Sequence, residues 1–409
     1  MKKLLSKIFT ILLVLYPVIH VYDSPIGSLC LADILLLLLY PFLLFHLLKK
    51  RTIKIDKGLL FLLAFVLANL LVVPILHISD IGLIIRNQGH FMIVLTTLAI
   101  FVPNLFEKKI GIRLLCHVSL ISSLYLIVQV VLLHVFGIVL GAHLPFLTAN
   151  ISENGHIRPF AFFSEPSAFG MFNAVGLATV IAWKPFKEKM NRASEMIITF
   201  AMLLSLSSTA VALLVLVWLW YMISTLCKER KLFKANPMTI SAFFAVIVLF
   251  VIANSKIDII SFIYRHVAPA SDGNMAAGVY GRLGNISSMK LDYSFRMSEV
   301  IFGHGMIDLT LFLPATVRTY LYFGIVGCVV LILYFLRLFI NSNRYGKGIV
   351  IIVLANSLFG DSIYGLAMFW YMQYIMMQQK EFKRFSEINM VCQKRILEKD
   401  KHYLCMDER

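Results

Sequence analysis

Apolar residues in this chain come in runs of roughly 17 to 30, separated by short polar tracts; such a run covers a hydrocarbon core about 30 Å thick at about 1.5 Å of rise per residue. The runs show no alternation of period 2. In lipid every backbone polar group must be satisfied within the segment, so the pattern predicts helices rather than a β-barrel. The tracts between the runs are basic: Lys2 to Lys7, Lys49 to Lys57, Lys108 to Arg113, Lys184 to Arg192, Lys228 to Lys234, Arg337 to Lys347, and the tail from Lys380. They hold all but eight of the 38 Lys and Arg residues, which assigns every one of these tracts to the cytoplasm.

Consecutive cytoplasmic tracts must be separated by an even number of crossings. The run from Met196 to Thr225 is longer than one span needs and breaks at Ser205-Leu206-Ser207-Ser208-Thr209, so it is read as two short helices with a polar turn. The run from Gly348 to Met377 turns likewise near Gly360-Asp361-Ser362. The remaining spans are expected at 8–22, 26–48, 58–77, 86–106, 113–139, 169–185, 237–254 and 314–336. The expectation is an all-α polytopic membrane protein of about 12 transmembrane helices with both termini inside. A single transmembrane domain covers 1–379, a cytoplasmic tail 380–409, and two larger external loops lie at 140–168 and 255–313.

Composition agrees. Hydrophobic residues make up 59% of the chain and charged residues 15%, which excludes a soluble α/β enzyme. The formal charge of +16 would suggest nucleic acid in a soluble domain, but here it reports topology, and no nucleic-acid partner is expected. The cysteines (Cys30, Cys116, Cys227, Cys328, Cys392, Cys405) show no CxxC pair and no metal-ligand spacing, so neither disulfides nor zinc are expected. Lys2 and Lys3 ahead of an apolar stretch resemble a signal peptide, but no small-residue cleavage site follows, and the segment is read as an uncleaved first helix.

The eight basic residues left on the outside are Arg86, Arg158, Lys256, Arg265, Arg282, Lys290, Arg296 and Arg318. A cation placed against the topological bias near the ends of apolar helices marks a candidate anion site, whereas a long loop tolerates positive charge freely. Arginine suits a diphosphate because its planar fork donates paired hydrogen bonds and stays charged. The first external loop closes with Ile157-Arg158-Pro159-Phe160-Ala161-Phe162-Phe163-Ser164-Glu165-Pro166-Ser167. One reading is a plain helix start, with Ser164 or Glu165 capping and Pro166 in the first turn. The other makes Glu165 a general base or an orienting group for a sugar hydroxyl. The second loop carries Tyr280-Gly281-Arg282-Leu283 and then Ile301-Phe302-Gly303-His304-Gly305. Glycines beside His304 leave room for a ligand at an imidazole that titrates near neutrality, although a histidine between glycines is also an ordinary loop residue. Asn173, Asn356 and Asp361 are polar in apolar surroundings and read first as groups satisfied by neighbouring helices. There is no Walker loop, no GxGxxG after a strand, no HExxH and no DxD-like pair on a soluble domain, so an enzyme of this shape takes a substrate already activated and already in the membrane.

In order along the chain, an arginine with Phe163-Ser164-Glu165-Pro166-Ser167, then Gly281-Arg282, then Phe302-Gly303-His304-Gly305, resemble the polytopic polysaccharide polymerases and O-antigen ligases of bacterial envelopes, the Wzy-like and WaaL-like families. The serine break at Ser205 to Thr209 is similar to a serine element of the same families, without the arginine that often follows it. Ligases usually carry a His-Asn-x-x-Leu element after the long loop; Val317-Arg318-Thr319-Tyr320-Leu321 stands here, followed by Gly324 and Gly327, which favours a polymerase. The resemblance implies a GT-C-like architecture in the bacterial inner membrane and an active site facing outside. It implies metal-independent, inverting glycosyl transfer from undecaprenyl-diphosphate-linked oligosaccharide, with no cofactor, among membrane lipid and beside a flippase and a chain-length regulator. Arg158, Arg282, Glu165 and His304 then fall in catalytic positions, the base being Glu165 or His304, and Arg86, Ser167, Arg296 and Arg318 in substrate-binding ones. A ligase reading shares this chemistry and differs in acceptor. A transporter or flippase fits the helix count but lacks paired discontinuous helices at matching positions in two halves.

Overall fold

The computed structural model describes residues 2–24, 29–49, 52–138, 140, 159–205, 207–229, 296–307 and 313–359. The elements are α1 (Lys2–Ile19), α2 (Leu31–Leu48), α3 (Lys57–Leu76), α4 (Ile81–Thr96), a π-helical stretch (Thr97–Phe101), α5 (Val102–Leu105), α6 (Lys108–Phe136), α7 (Pro166–Trp183), α8 (Glu188–Leu204), α9 (Ser208–Glu229), α10 (Met297–Phe302), α11 (Ala315–Asn341) and α12 (Arg344–Phe359). Among the described residues there are no strands. Six segments are long and apolar enough to cross a membrane: Leu31–Leu48, Lys57–Leu76, Ile81–Leu105, Lys108–Leu133, Pro166–Trp183 and Ala315–Asn341. The helices α1, α8, α9 and α12 stand where further spans were expected. The span at 237–254, the turn at Gly360-Asp361-Ser362, most of both external loops and the tail lie outside the described residues.

Local chemistry sets the ends. The Asp56 carboxylate accepts from the N–H groups of Gly58 and Leu59 at 2.8 and 3.0 Å, satisfying donors that the first turn of α3 leaves open. Gly137, at φ +67°, ends α6 in the left-handed conformation that only glycine adopts without strain. The serine break is real: α8 stops at Leu204 and α9 starts at Ser208, and Ser205 Oγ returns to the Met202 carbonyl at 2.7 Å. Several expected boundaries shift: α1 opens at Lys2 rather than 8, and α2 at Leu31 rather than 26. α4 opens at Ile81 rather than 86, because the short 3₁₀ turn Ile78–Asp80 feeds directly into it; α6 opens at Lys108 rather than 113, inside the basic tract.

In the packing, α7 is wrapped by α6, α8, α9 and α12, and almost all of its residues are buried. α11 packs on α3, α10 and α12, α3 packs on α4, and α1 joins α2 to α6. Leu38, Phe42, Phe61, Leu71, Ile75, Ile332 and Ile340 stay exposed, an apolar outer surface that suits lipid and not water. Polar groups inside are mostly paired. Asn173 Oδ1 accepts from Ser119 and Ser123 at 2.6 and 3.2 Å and its amide donates to Phe169, so this intramembrane asparagine satisfies a helix junction.

Arg337 lies 3.9 Å from Asp56, so the basic end of α11 meets the start of α3, and Trp220 on α9 donates to the Arg344 carbonyl at 2.9 Å. Those contacts bring the basic tract at 337–347 beside the start of α3 and the end of α9. α3 runs away from there for about 30 Å, and its far end, His77, opens the region described next.

Candidate functional site

The stretch Gly303 to Ile307 is non-helical backbone seated among helices, and such backbone is tolerated at membrane depth only when its polar groups find partners. The partner comes from a break in α11. Gly324 sits at φ +63°, ψ −164° in the middle of that helix, and the Leu321 and Tyr322 carbonyls on its N-terminal side accept from the N–H groups of His304 and Gly305 at 2.8 and 3.0 Å. The approach is too close for any side chain. A Cβ on Gly303 would lie 2.4 Å from Tyr322 backbone atoms, and one on Gly324 2.3 Å from the Ile301 carbonyl oxygen, and both glycines have positive φ.

Two amides hold the other side of the loop. Asn69 Nδ2 on α3 donates to the Phe302 carbonyl at 2.8 Å while Asn69 Oδ1 accepts from Gln88 Nε2 at 2.5 Å; Asn87 Nδ2 on α4 donates to the Met306 carbonyl at 2.8 Å. The loop is therefore sewn to α3, α4 and α11 through its backbone, which leaves the His304 side chain to be aimed. It is aimed at Glu299. His304 Nε2 stands 3.7 Å from Glu299 Oε2, and His77 Nε2, from the end of α3, stands 3.8 Å from Glu299 Oε1. The two imidazoles lie with ring centroids 5.1 Å apart. Glu299 is held in turn by the Arg296 N–H, 2.7 Å from Oε2. Burial first, then the neighbouring His304, push the His77 imidazole below its ordinary range against the opposing pull of Glu299 and Asp80, with the Arg296 charge adding to the push.

Several expected site residues converge here. Arg86 is exposed on α4, and its Nε donates to Asn87 Oδ1 at 3.1 Å, beside the amide that holds the loop. Arg296 precedes α10 and is exposed, and Arg318 is half-buried on the first turn of α11, just ahead of the Leu321 carbonyl that anchors His304. Glu165 and Ser167 belong to another part of the bundle. Glu165 takes the cap position of α7 with extended backbone and Pro166 behind it, as the plain helix-start reading expected, and the Ser167 hydroxyl donates to Glu165 Oε1. The segment ahead of it is pinned where the Ala161 N–H donates to Gln129 Oε1 at 2.8 Å and Phe162 stacks on Tyr125 at 4.5 Å. Arg158 and Arg282 lie outside the described residues.

Reading the sequence missed His77, Glu299, Asn69, Asn87 and Gln88. His77 and Glu299 are far apart along the chain, and the amides sit in apolar runs with no motif around them; their only signal was a polar residue where the pattern asked for an apolar one. A further buried group was also missed. Asp33 accepts from the Tyr16 hydroxyl, lies 2.9 Å from His90 Nε2, and takes the Cys30 N–H and thiol at 3.0 Å each. None of the family models compared with the chain matches it, and none of the curated proteins does.

Proposed function

We propose that the chain is a glycosyltransferase that joins undecaprenyl-diphosphate-linked oligosaccharide units into O-antigen, capsule or exopolysaccharide at the outer face of the bacterial cytoplasmic membrane. The observation that carries the reading is the Gly303–Gly305 loop, locked into the break of α11 with His304 directed at Glu299, and the positions of Arg86 next to the Asn87 that holds the loop, Arg296 at the head of α10 and Arg318 on the first turn of α11. A loop stitched down by its backbone holds a reacting group still, and arginines beside it offer the charge that a diphosphate leaving group needs.

In this scheme the acceptor hydroxyl attacks the anomeric carbon of the lipid-linked unit as the bond from that carbon to the diphosphate breaks. The electron pair leaves on the diphosphate, whose growing charge Arg158 and Arg282 neutralise with Arg318 or Arg296 assisting. Glu165 or His304 takes the hydroxyl proton. The carrier supplies the activation, consistent with a sequence that holds no nucleotide-binding motif.

The test is to delete the gene and separate surface glycans by size. Loss of the long ladder with single units still attached to their acceptor supports polymerisation. Long chains stranded on the carrier would make the protein a ligase, and units trapped inside a transporter. Complementation with the Arg158→Ala, Arg282→Ala double variant should restore membrane insertion and not the ladder; a full ladder from it sinks the arginine assignment.

A further inference from the structure

Most buried polar groups in this bundle close on each other. The imidazoles of His77 and His304 stop short of the Glu299 carboxylate. The donor atoms of the three side chains all lie within 4.8 Å of one another, yet the carboxylate-to-imidazole separations of 3.7 and 3.8 Å exceed hydrogen-bond length. His77 Nε2 is shielded from solvent and has no hydrogen-bond partner among the described residues. A buried polar atom left in that state is destabilising, and a ligand at the centre of the three groups would relieve it. Two imidazole nitrogens and one carboxylate oxygen, drawn from the end of α3, from α10 and from the loop after it, face a common point.

We propose that His77, Glu299 and His304 bind one divalent transition-metal cation of borderline softness, Zn²⁺ being the natural probe. Donors bound to one tetrahedral Zn²⁺ at about 2.0–2.2 Å lie about 3.3–3.6 Å apart, a spacing that the three donor atoms, now within 4.8 Å of one another, reach by side-chain adjustment around the ion. Two neutral imidazoles with one carboxylate are a donor set for Zn²⁺ or Fe²⁺ and not for Mg²⁺ or Ca²⁺, which want oxygen. Three protein ligands leave a coordination position open to water or to an anionic oxygen. Glu299 already has the outer support that metal carboxylates use, since the Arg296 N–H holds Oε2. A Zn²⁺ site here departs from the expectation of no zinc, which rested on local ligand spacing, whereas His77 lies more than two hundred residues from Glu299 and His304 in the chain.

The cation ties the far end of α3 to the loop that the Gly324 break holds from the other side. The site rests on this geometry alone and holds whether or not the chain is a polymerase.

The experiment uses the full chain, purified in detergent through an affinity tag free of histidine, stripped with chelator, and titrated with Zn²⁺ and with Co²⁺ for its visible absorption. The expected result is one high-affinity equivalent per chain with a Co²⁺ spectrum of nitrogen and oxygen ligation. His77→Ala should weaken binding at least tenfold and abolish that spectrum. His77→Asn and Glu299→Gln serve as second variants, with size-exclusion profile reporting that each is folded. A wild-type chain that binds no Zn²⁺ in the micromolar range, or variants that bind as tightly as wild type, overturn the proposal.

Discussion

Two buried clusters of ionisable side chains in this molecule are built on opposite plans. Around Asp33 the groups have closed: Tyr16, Cys30 and His90 from three helix ends and faces all reach one carboxylate at hydrogen-bond distance. Around Glu299 they have stopped short, with two imidazoles held 3.7 and 3.8 Å from the carboxylate oxygens. The rigid scaffolding differs to match. Asp33 is fixed by its own side-chain bonds, whereas Glu299 and His304 are fixed through backbone, by the Arg296 N–H and by the carbonyls that the α11 break sets free. A cluster that satisfies itself has done its work once the helices are packed; one whose members converge without touching is arranged for something else.

The sharpest way to break the comparison is at its closed half. Asp33→Ala removes the acceptor from Tyr16 and His90 at once, and each buried group left unpaired costs about 1–3 kcal/mol. Thermal unfolding in detergent, followed by size-exclusion recovery, should show this as a large loss of folded protein, with Asp33→Asn milder because an amide oxygen still accepts. Next in size is Gly324→Ala. The substitution forces a side chain into positive φ and against the Ile301 carbonyl oxygen, for about 2–4 kcal/mol of strain and clash. It should also unlock the His304 loop, so glycan extension in complementation should fall further than the melting temperature alone explains; unchanged extension would detach the loop from function.

Much of this was legible in advance. Six apolar segments, the Ser205 to Thr209 break and the cap at Glu165 with Pro166 follow from hydropathy, turn chemistry and proline's fixed φ, all properties of neighbours in sequence. His304 could be singled out because glycines flank it. What sequence could not carry is the pairing across helices. Gly324 was visible as a glycine after Leu321, but nothing local says that its helix would break there and offer two carbonyls to Gly303-His304-Gly305. Asn69, Asn87 and Gln88 were invisible for the same reason: an amide in an apolar run has a partner, and only the fold says which one.

The finest test sets two histidines against each other under the same substitution. His90→Ala takes a partner from Asp33 at 2.9 Å and should cost about 1–3 kcal/mol, since it leaves a buried carboxylate less well paired. His77→Ala, in chelator-stripped protein, removes an imidazole whose Nε2 makes no hydrogen bond among the described residues, so it takes away the ring contact with His304 and the orphaned nitrogen together and should cost less than His90→Ala. Melting both variants without metal and again with Zn²⁺ makes the contrast quantitative. Wild type and His90→Ala should each gain stability on adding Zn²⁺, about 2.7 kcal/mol at a hundredfold excess over the dissociation constant, and His77→Ala should gain nothing. If His77→Ala is instead as damaging as His90→Ala in the absence of metal, the two clusters are of one kind and the group around Glu299 is a packing junction like the group around Asp33.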